Sequence, residues 1–535
     1  MTSKARQWLL YLVVFASGMT TLAVEFAASR LLGSIFGTSN IVWANVIGLI
    51  LIYLTVGYFV GGRLADRSPQ DVTLYRLVAW GAFFSGVVPL IARPVLGAAA
   101  SAVYSVNAGV AGGSFIAVLV LFSVPVTLLG CVSPFAIRLA LQNVADAGQT
   151  AGRMYAISTL GSIIGTFVPV LYLIPEAGTA RTFLYFSGFL LIVALIALGL
   201  HRPRAALQLI WMPIVLLILA YATLTGPLRP PPANTKLLYE GDSAYNYIQV
   251  VEIDRPTRQF PSGTRLLLLN EGEGIHSVWS PAQGFYSGTW DMFMAAPFFN
   301  AVPYTPDRIK NVCIIGLAAG TIAHQYTTAF GNGVQIDGIE IDPKIVDVGR
   351  RYFDMTMPNL NVIIEDGRLA LHQSTKHYDV VGIDAYRVPY VPWNLTTVEF
   401  FGDVRDHLTA DGVVVINVGR TVNMSTGKQD RRLVEAMTHT MLSVFPTVHT
   451  IDVPGSFNTI LIGTIKPTVY TNLAENTARI QGVPLLTQVL AVAQNTIVPT
   501  TQSDVLFTDD HAPVETIVDS MVIDFLLGGG GDQFK

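Results

Sequence analysis

Cysteine is almost missing from this chain: Cys131 and Cys313 are the only two in 535 residues. Both fall in apolar runs, which argues against a disulfide framework and against a cysteine metal site. His324, His372 and His511 lack the spacing of metal ligands, so no metal site is expected. Acidic residues are nearly absent from the first 226 positions. That part holds 12 of the 33 Lys+Arg but only 5 of the 37 Asp+Glu (Glu25, Asp66, Asp71, Asp146 and Glu176). It is therefore basic, and the remainder is acidic. An acidic globular part lacks the basic face that a phosphate backbone needs, which excludes a nucleic-acid partner. No repeat or low-complexity tract stands out beyond the glycines at 528–531.

What the first part has in place of charge is long apolar runs. A bilayer crossing takes roughly 20 apolar residues. Seven runs meet that length, at 8–28, 41–61, 73–92, 115–135, 155–175, 182–200 and 206–225. Seven separated runs rule out a cleaved leader as the explanation of the first. The small-residue segment 95–112 reads as an interfacial helix or an eighth crossing. Glu25 lies near the end of the first run, where an ionisable group is either functional or paired at the interface. Gly161 and Gly165, four apart on the fifth run, favour close helix packing. The expected division is a transmembrane domain 1–226, a stiff proline-rich linker 227–237, a small β subdomain 238–305, a Rossmann-like domain 306–470 and a C-terminal segment 471–535 that completes it.

The region 311–371 carries the chemistry. Asn311-Val-Cys-Ile-Ile315 is a β-branched strand that runs into Gly316-Leu-Ala-Ala-Gly320-Thr321. A second apolar run reaches Glu340, 24 residues after Gly316, and a third ends at Asp366-Gly367. Glycines let a strand-to-helix turn approach a ligand, and an acid at the end of the second strand accepts ribose hydroxyls. The pattern predicts an adenosyl-binding βαβ unit, with 378–384 and 412–417 as the fourth and fifth buried parallel strands. Asp337 and Asp342 flank Glu340; one is expected on the surface and the other as the cap of a helix at Pro343.

These motifs resemble the spermidine/spermine synthase (polyamine aminopropyltransferase) superfamily over roughly residues 238–470. The likeness is carried by Tyr245-Asn-Tyr-Ile-Gln-Val, Ile315-Gly-Leu-Ala-Ala-Gly-Thr, Ile339-Glu-Ile-Asp-Pro, Glu365-Asp366-Gly-Arg and Tyr378-Asp-Val-Val-Gly-Ile-Asp384. The apolar part is similar to the multi-span segment fused to this domain in a bacterial branch, through Gly61-Gly-Arg-Leu-Ala-Asp-Arg and Leu160-Gly-Ser. The resemblance implies an α-helical membrane bundle followed by an α/β Rossmann-like domain. It implies transfer of an aminopropyl group from decarboxylated S-adenosylmethionine to a polyamine such as putrescine or spermidine, with release of methylthioadenosine.

By the same likeness Glu340 takes the ribose and Asp366 the adenine amino group, Gly316, Gly320 and Gly367 line the nucleoside, and Asp384 faces the reacting centre with Tyr386 beside it. Tyr245, Trp290, Asp509 and Asp510 are the candidates for holding the amine, the aromatics through cation–π contact. Two departures stand out. The family's Asp three residues beyond Asp384 is Arg387 here, and a guanidinium neither accepts a proton at neutral pH nor attracts an ammonium. The Asp inside the glycine motif is Ala319. Three readings stay open: the transferase, a sensor or transport protein for an adenosyl ligand or polyamine, and a methyltransferase using intact S-adenosylmethionine. Lipid is the expected surrounding of the first part, in the cytoplasmic (inner) membrane, and a homodimer stays open.

Charge also bears on topology. Lys4, Arg6, Arg63, Arg67, Arg138, Arg153, Arg202 and Arg204 fall on one side of seven spans, against Arg30, Arg93 and Arg181 on the other. The positive-inside rule puts the N-terminus in the cytoplasm and, with an odd span count, the second part outside. An eighth span would return it to the cytoplasm.

Overall fold

The computed structural model describes residues 3–36, 40–106, 109–141, 143–224, 229–270, 274–386, 390–423 and 425–528. It separates into two compact units, residues 1–230 with 241–247, and residues 231–240 with 248–535. Arg387 lies outside the described residues.

The first unit is helical. Its helices are α1 (Ser3–Phe36), α2 (Asn40–Arg67), α3 (Asp71–Val106), α4 (Gly109–Gly130), α5 (Val132–Ala140), α6 (Ala147–Val168), α7 (Ile174–Ala177), α8 (Thr179–His201), α9 (Pro203–Leu207) and α10 (Trp211–Thr223). Among the described residues, seven stretches are long and apolar enough to cross a membrane: Lys4–Gly33, Asn40–Arg67, Asp71–Ala99, Gly112–Ala140, Val144–Ala177, Thr179–His201 and Pro203–Thr223. They contain the first six runs read from the sequence and all but the last two residues of the seventh, 206–225. Residues 95–106 form no helix of their own; they continue α3 past Pro89 and Pro94. Proline inside such a helix is tolerated where neighbouring helices satisfy the freed backbone groups.

Glycine sets the closest contacts of this unit. A Cβ on Gly161 would fall 2.1 Å from the carbonyl oxygen of Phe15, and one on Gly165 would fall 2.0 Å from that of Met19. The four-residue spacing thus turns one face of α6 directly onto the backbone of α1. Gly57 and Gly61 do the same for α2, against Thr127 and Cys131. Ion pairs tie the helix ends, Arg6 to Asp71 at 3.0 Å and Arg138 to Asp66 at 3.1 Å. Glu25 is half-buried on α1.

The second unit opens with a four-stranded sheet in the order β1 (Thr235–Asp242), β2 (Tyr247–Ile253), β3 (Arg265–Leu269), β4 (Ile275–Trp279). Strands β2 and β3 pair antiparallel, within the small β subdomain expected at 238–305. Helix α11 (Thr289–Met292) follows. A larger sheet is then built from β5 (Asn311–Ile315), α12 (Thr321–Phe330), β6 (Gln335–Glu340), α13 (Pro343–Tyr352), β7 (Leu360–Ile364), α14 (Gly367–Gln373), β8 (Tyr378–Ile383), α15 (Val398–Asp406) and β9 (Leu408–Gly419). The short pair β10 (Thr421–Val422) and β11 (Gln429–Asp430) precedes α16 (Arg432–Leu442), β12 (Thr447–Asp452) and β13 (Asn458–Thr464). Helices α17 (Thr471–Thr477) and α18 (Pro484–Asn495), β14 (Ile497–Val498) and α19 (Val514–Leu527) complete the chain.

The large sheet has the order β14-β12-β13-β9-β8-β5-β6-β7. Strands β5 to β9 run parallel, while β13, β12 and β14 pair antiparallel. Because β5 lies between β6 and β8, the chain leaves it in opposite directions, which opens a crevice at the carboxyl ends of these strands. The central strand β5 is buried on both faces: Val312, Cys313, Ile314 and Ile315 are each at most 1% exposed. That explains why it reads as an unbroken apolar run.

The structure corrects one expectation. Asp342 does cap α13, accepting from the Lys344 N–H at 3.0 Å. Asp337, however, is not on the surface. It is 4% exposed and is held by Lys376 Nζ at 2.7 Å, Tyr378 OH at 3.0 Å and Asn361 Nδ2 at 2.8 Å. Strand alternation turns it inward, and a lysine reaching in from the loop before β8 neutralises it.

Candidate active site

The crevice is built by three strand ends in register. Ile315 pairs with Ile339 on one side and with Ile383 on the other, so Gly316, Glu340 and Asp384 follow at one level. Gly316 has φ of +87°, and a Cβ there would meet Ala385 N and Asp384 O at 2.6 Å. Only glycine lets the turn and the end of β8 come this close. Ala318, at φ +48°, donates its N–H to Glu340 Oε2 at 2.9 Å. Ala319 N–H goes to Ser277 Oγ at 2.9 Å, and Thr321 exchanges hydrogen bonds with Val278. Strand β4 thereby fixes the glycine turn from the small sheet, a support that the sequence reading missed.

Glu340 is buried, and its other oxygen accepts from Asp342 N–H at 3.0 Å. Burial raises its pKa to about 7, against the pull of these two backbone donors. Each carboxyl oxygen keeps a lone pair for a further donor. Asp366 caps α14, with Oδ1 accepting from Arg368 and Leu369 N–H at 3.0 and 3.1 Å. Gly367 packs onto Ile315, where a Cβ would fall 2.4 Å from Cγ2. The caps turn the first amides of α13 and α14 toward the same edge.

Asp384 ends β8. Asn417, which closes the apolar run of β9, donates from Nδ2 to Asp384 Oδ1 at 2.9 Å. Asn458 donates from Nδ2 to Asn417 Oδ1 at 2.7 Å. Burial raises the Asp384 pKa to about 7, and the Asn417 bond only partly offsets it. The Tyr386 hydroxyl lies beside Gly419, where a Cβ would come within 2.9 Å of it. Burial, then the nearby Asp384, raises the Tyr386 pKa. Asn417 was visible in the sequence as the polar residue closing an apolar run. Asn458 was not, since its strand returns antiparallel from 41 residues away.

The other candidates sit apart from this set. Asp509 is clamped by both Nη groups of Arg368, at 2.7 and 2.8 Å, and by Thr397 Oγ1 at 2.7 Å. Asp510 is exposed. Trp290 is packed in the core with Tyr286 and Phe293. Asp291 beside it accepts from Tyr286 N–H, Gly288 N–H and Gln325 Nε2, and burial raises its pKa to about 6. Tyr245 belongs to the helical unit, and its carbonyl accepts from Arg30 at 2.8 Å. Among the described residues none of Tyr245, Trp290, Asp509 and Asp510 shares a hydrogen bond with Asp384. No group of three or more potential metal ligands occurs among the described residues.

Residues 294–453 match the spermine/spermidine synthase domain family. The chain is 32% identical over 313 residues to a probable polyamine aminopropyl transferase of Bifidobacterium longum, covering 54% of this chain and 65% of that protein. It is 34% identical over 117 residues to the polyamine aminopropyltransferase of Clostridium beijerinckii, covering 21% of this chain and 40% of the relative. Both matches thus span less than two thirds of the relatives' own length. Among solved structures it is similar to a probable spermidine synthase from Corynebacterium glutamicum, with 22% identity and a TM-score of 0.37 over 52% of this chain and 99% of that one. Residues 294–453, within the second unit of this chain, are thus similar to the spermine/spermidine synthase domain.

Proposed function

We propose that the protein is a membrane-bound aminopropyltransferase that uses decarboxylated S-adenosylmethionine and an amine acceptor of the polyamine class. The observation that carries this reading is the pair of carboxyls, buried Glu340 and half-buried Asp384, at the ends of the strands flanking Gly316. Glu340 has lone pairs free for the ribose hydroxyls, and Asp366 Oδ2 is free for an exocyclic amine. Ile341 and Ile364, 37% and 50% exposed at the ends of β6 and β7, offer apolar surface to a purine. In the transfer, the acceptor nitrogen forms a bond to the propyl carbon beside the sulfonium. The C–S bond breaks, its electron pair returns to sulfur, and neutral methylthioadenosine leaves. Asp384, with its pKa near 7, receives the proton released by the nitrogen.

The seven apolar helices anchor the enzyme in the bilayer on this reading. Leu51, Phe59, Leu217 and Tyr221 are 56%, 67%, 72% and 80% exposed, as lipid-facing side chains are. Ala319 and Arg387, standing where the family has acids, favour a second reading, an adenosyl-binding sensor without turnover. Full-length protein in detergent, given decarboxylated or intact S-adenosylmethionine with diamines and longer amines, separates them by product mass. Methylthioadenosine with an aminopropylated amine is expected. Methylthioadenosine binding without turnover would replace the transferase by the sensor, and a methylated amine would make the protein a methyltransferase.

A further inference from the structure

One cluster at the edge of the crevice holds more positive charge than it balances. Arg420 follows directly on β9, Arg431 directly precedes α16, and both face one carboxylate, Asp452 at the end of β12. Asp452 accepts from Arg431 Nη1 at 2.9 and 2.8 Å and from Thr459 Oγ1 at 2.8 Å. Arg420 Nε stands 3.6 Å from it, an ion-pair distance too long for a hydrogen bond. Arg420 is 8% exposed and donates from Nη1 to the Asn458 carbonyl at 2.6 Å. Among the described residues, Arg420 Nε and Arg431 Nη2 are buried with no acceptor. Asp430 and Asp524 do not supply one, since Arg432 holds both. Two guanidiniums against one carboxylate leave a positive charge and two N–H groups to be completed by an oxyanion.

The cluster is joined to the reacting carboxyl. Asn458 accepts from Arg420 through its carbonyl and donates through its side chain to Asn417, which donates to Asp384. Register places Ile383 opposite Ile416, Gly419 opposite Asn458 and Thr459 opposite Asp452, so all these groups share the carboxyl edge of β8 and β9.

We propose that Arg420 and Arg431 form an oxyanion subsite that holds a carboxylate of the amine acceptor while its nitrogen faces Asp384. This rests on the transferase reading and narrows its substrate to amines that also carry a carboxylate. A carboxylate also exists on intact S-adenosylmethionine and not on its decarboxylated form. The position on β9, which lies beyond β8 from the glycine turn, favours the acceptor.

Calorimetry on the full-length protein tests this with ornithine and 1,4-diaminobutane, which differ by one carboxylate, each titrated with and without methylthioadenosine. Ornithine is expected to bind at least about ten-fold tighter, the scale of one charge-assisted hydrogen bond. Arg420→Gln and Arg431→Gln should each erase that preference and leave methylthioadenosine affinity unchanged. Equal affinity for the two amines, no binding of either, or a preference that survives both substitutions overturns the subsite. If the substitutions instead erase discrimination between intact and decarboxylated S-adenosylmethionine, the oxyanion belongs to the donor and the acceptor assignment falls. Should the Gln variants not fold, Arg431→Lys keeps the charge without the second N–H, and an unchanged preference there also overturns the proposal. Failure of the wild type to bind methylthioadenosine would remove the transferase reading separately, because the amine preference is read without the nucleoside.

Discussion

Glu340 and Asp384 both have pKa values near 7 against ordinary values of 4.5 and 3.8, because burial desolvates each. The folded protein therefore holds these two protons more tightly than the unfolded chain. The resulting stability is complete below about pH 4 and is lost as pH rises through about 7. Asp384→Asn keeps the shape, including the Asn417 bond, and removes the charge. Turnover is expected to fall on the order of 100-fold, as for a lost acid–base group, with the limb of the pH–rate profile near 7 abolished. The thermal midpoint at pH 8 should rise, and a midpoint that falls there would show that Asp384 is ionised at no cost. Glu340→Ala is expected to weaken methylthioadenosine binding by about 1.5–3 kcal/mol, the range for a hydrogen bond to a charged group. Calorimetry on the folded variant checks it, and unchanged affinity would move the ribose elsewhere.

At the scale of elements, the ion pair between buried Asp337 of β6 and exposed Lys376 in the loop before β8 is the one a single change breaks most readily. Lys376→Met leaves Asp337 facing only Tyr378 and Asn361, and should cost about 1–3 kcal/mol of stability, the penalty of an unpaired buried group. A lower thermal midpoint that Asp337→Asn in the same chain restores in part is the expected result. The elements most legible in the sequence were those with a single cause. Val312 to Ile315 and Val413 to Ile416 are apolar throughout because both faces of their strands are covered, and the seven runs of the helical unit are apolar for the length of a crossing. What hid was pairing over long separations. Nothing local marks Asp337 as inward rather than solvated, since Lys376 lies 39 residues on. The Asp384–Asn417–Asn458 chain needs β13 to return antiparallel beside β9, which no spacing encodes. Nor does spacing show that Trp290 packs against the core or that Asp509 pairs with Arg368, 141 residues before it.

For the whole molecule, the positive-inside rule applied to the arginines at the helix ends predicts a cytoplasmic N-terminus and, if the seven apolar helices all cross a membrane, a second unit on the far side. Both native thiols, Cys131 and Cys313, are buried. A cysteine placed at exposed Thr375, in the loop between α14 and β8, is then the accessible thiol for a membrane-impermeant label. Labelling of Thr375→Cys in intact cells is expected; labelling only after lysis would put the domain in the cytoplasm, where adenosyl substrates are made.

The glycine contacts of the helical unit limit how it can move. Where a carbonyl rests on a Cα with no side chain between, close packing resists sliding and rotation, so α1 with α6 and α2 with α4 are expected to move as two doublets. If an amine or nucleoside passes through this part of the protein, its route runs along the seam between the doublets. The mobile joint of such a carrier would lie in that seam and not within either pair.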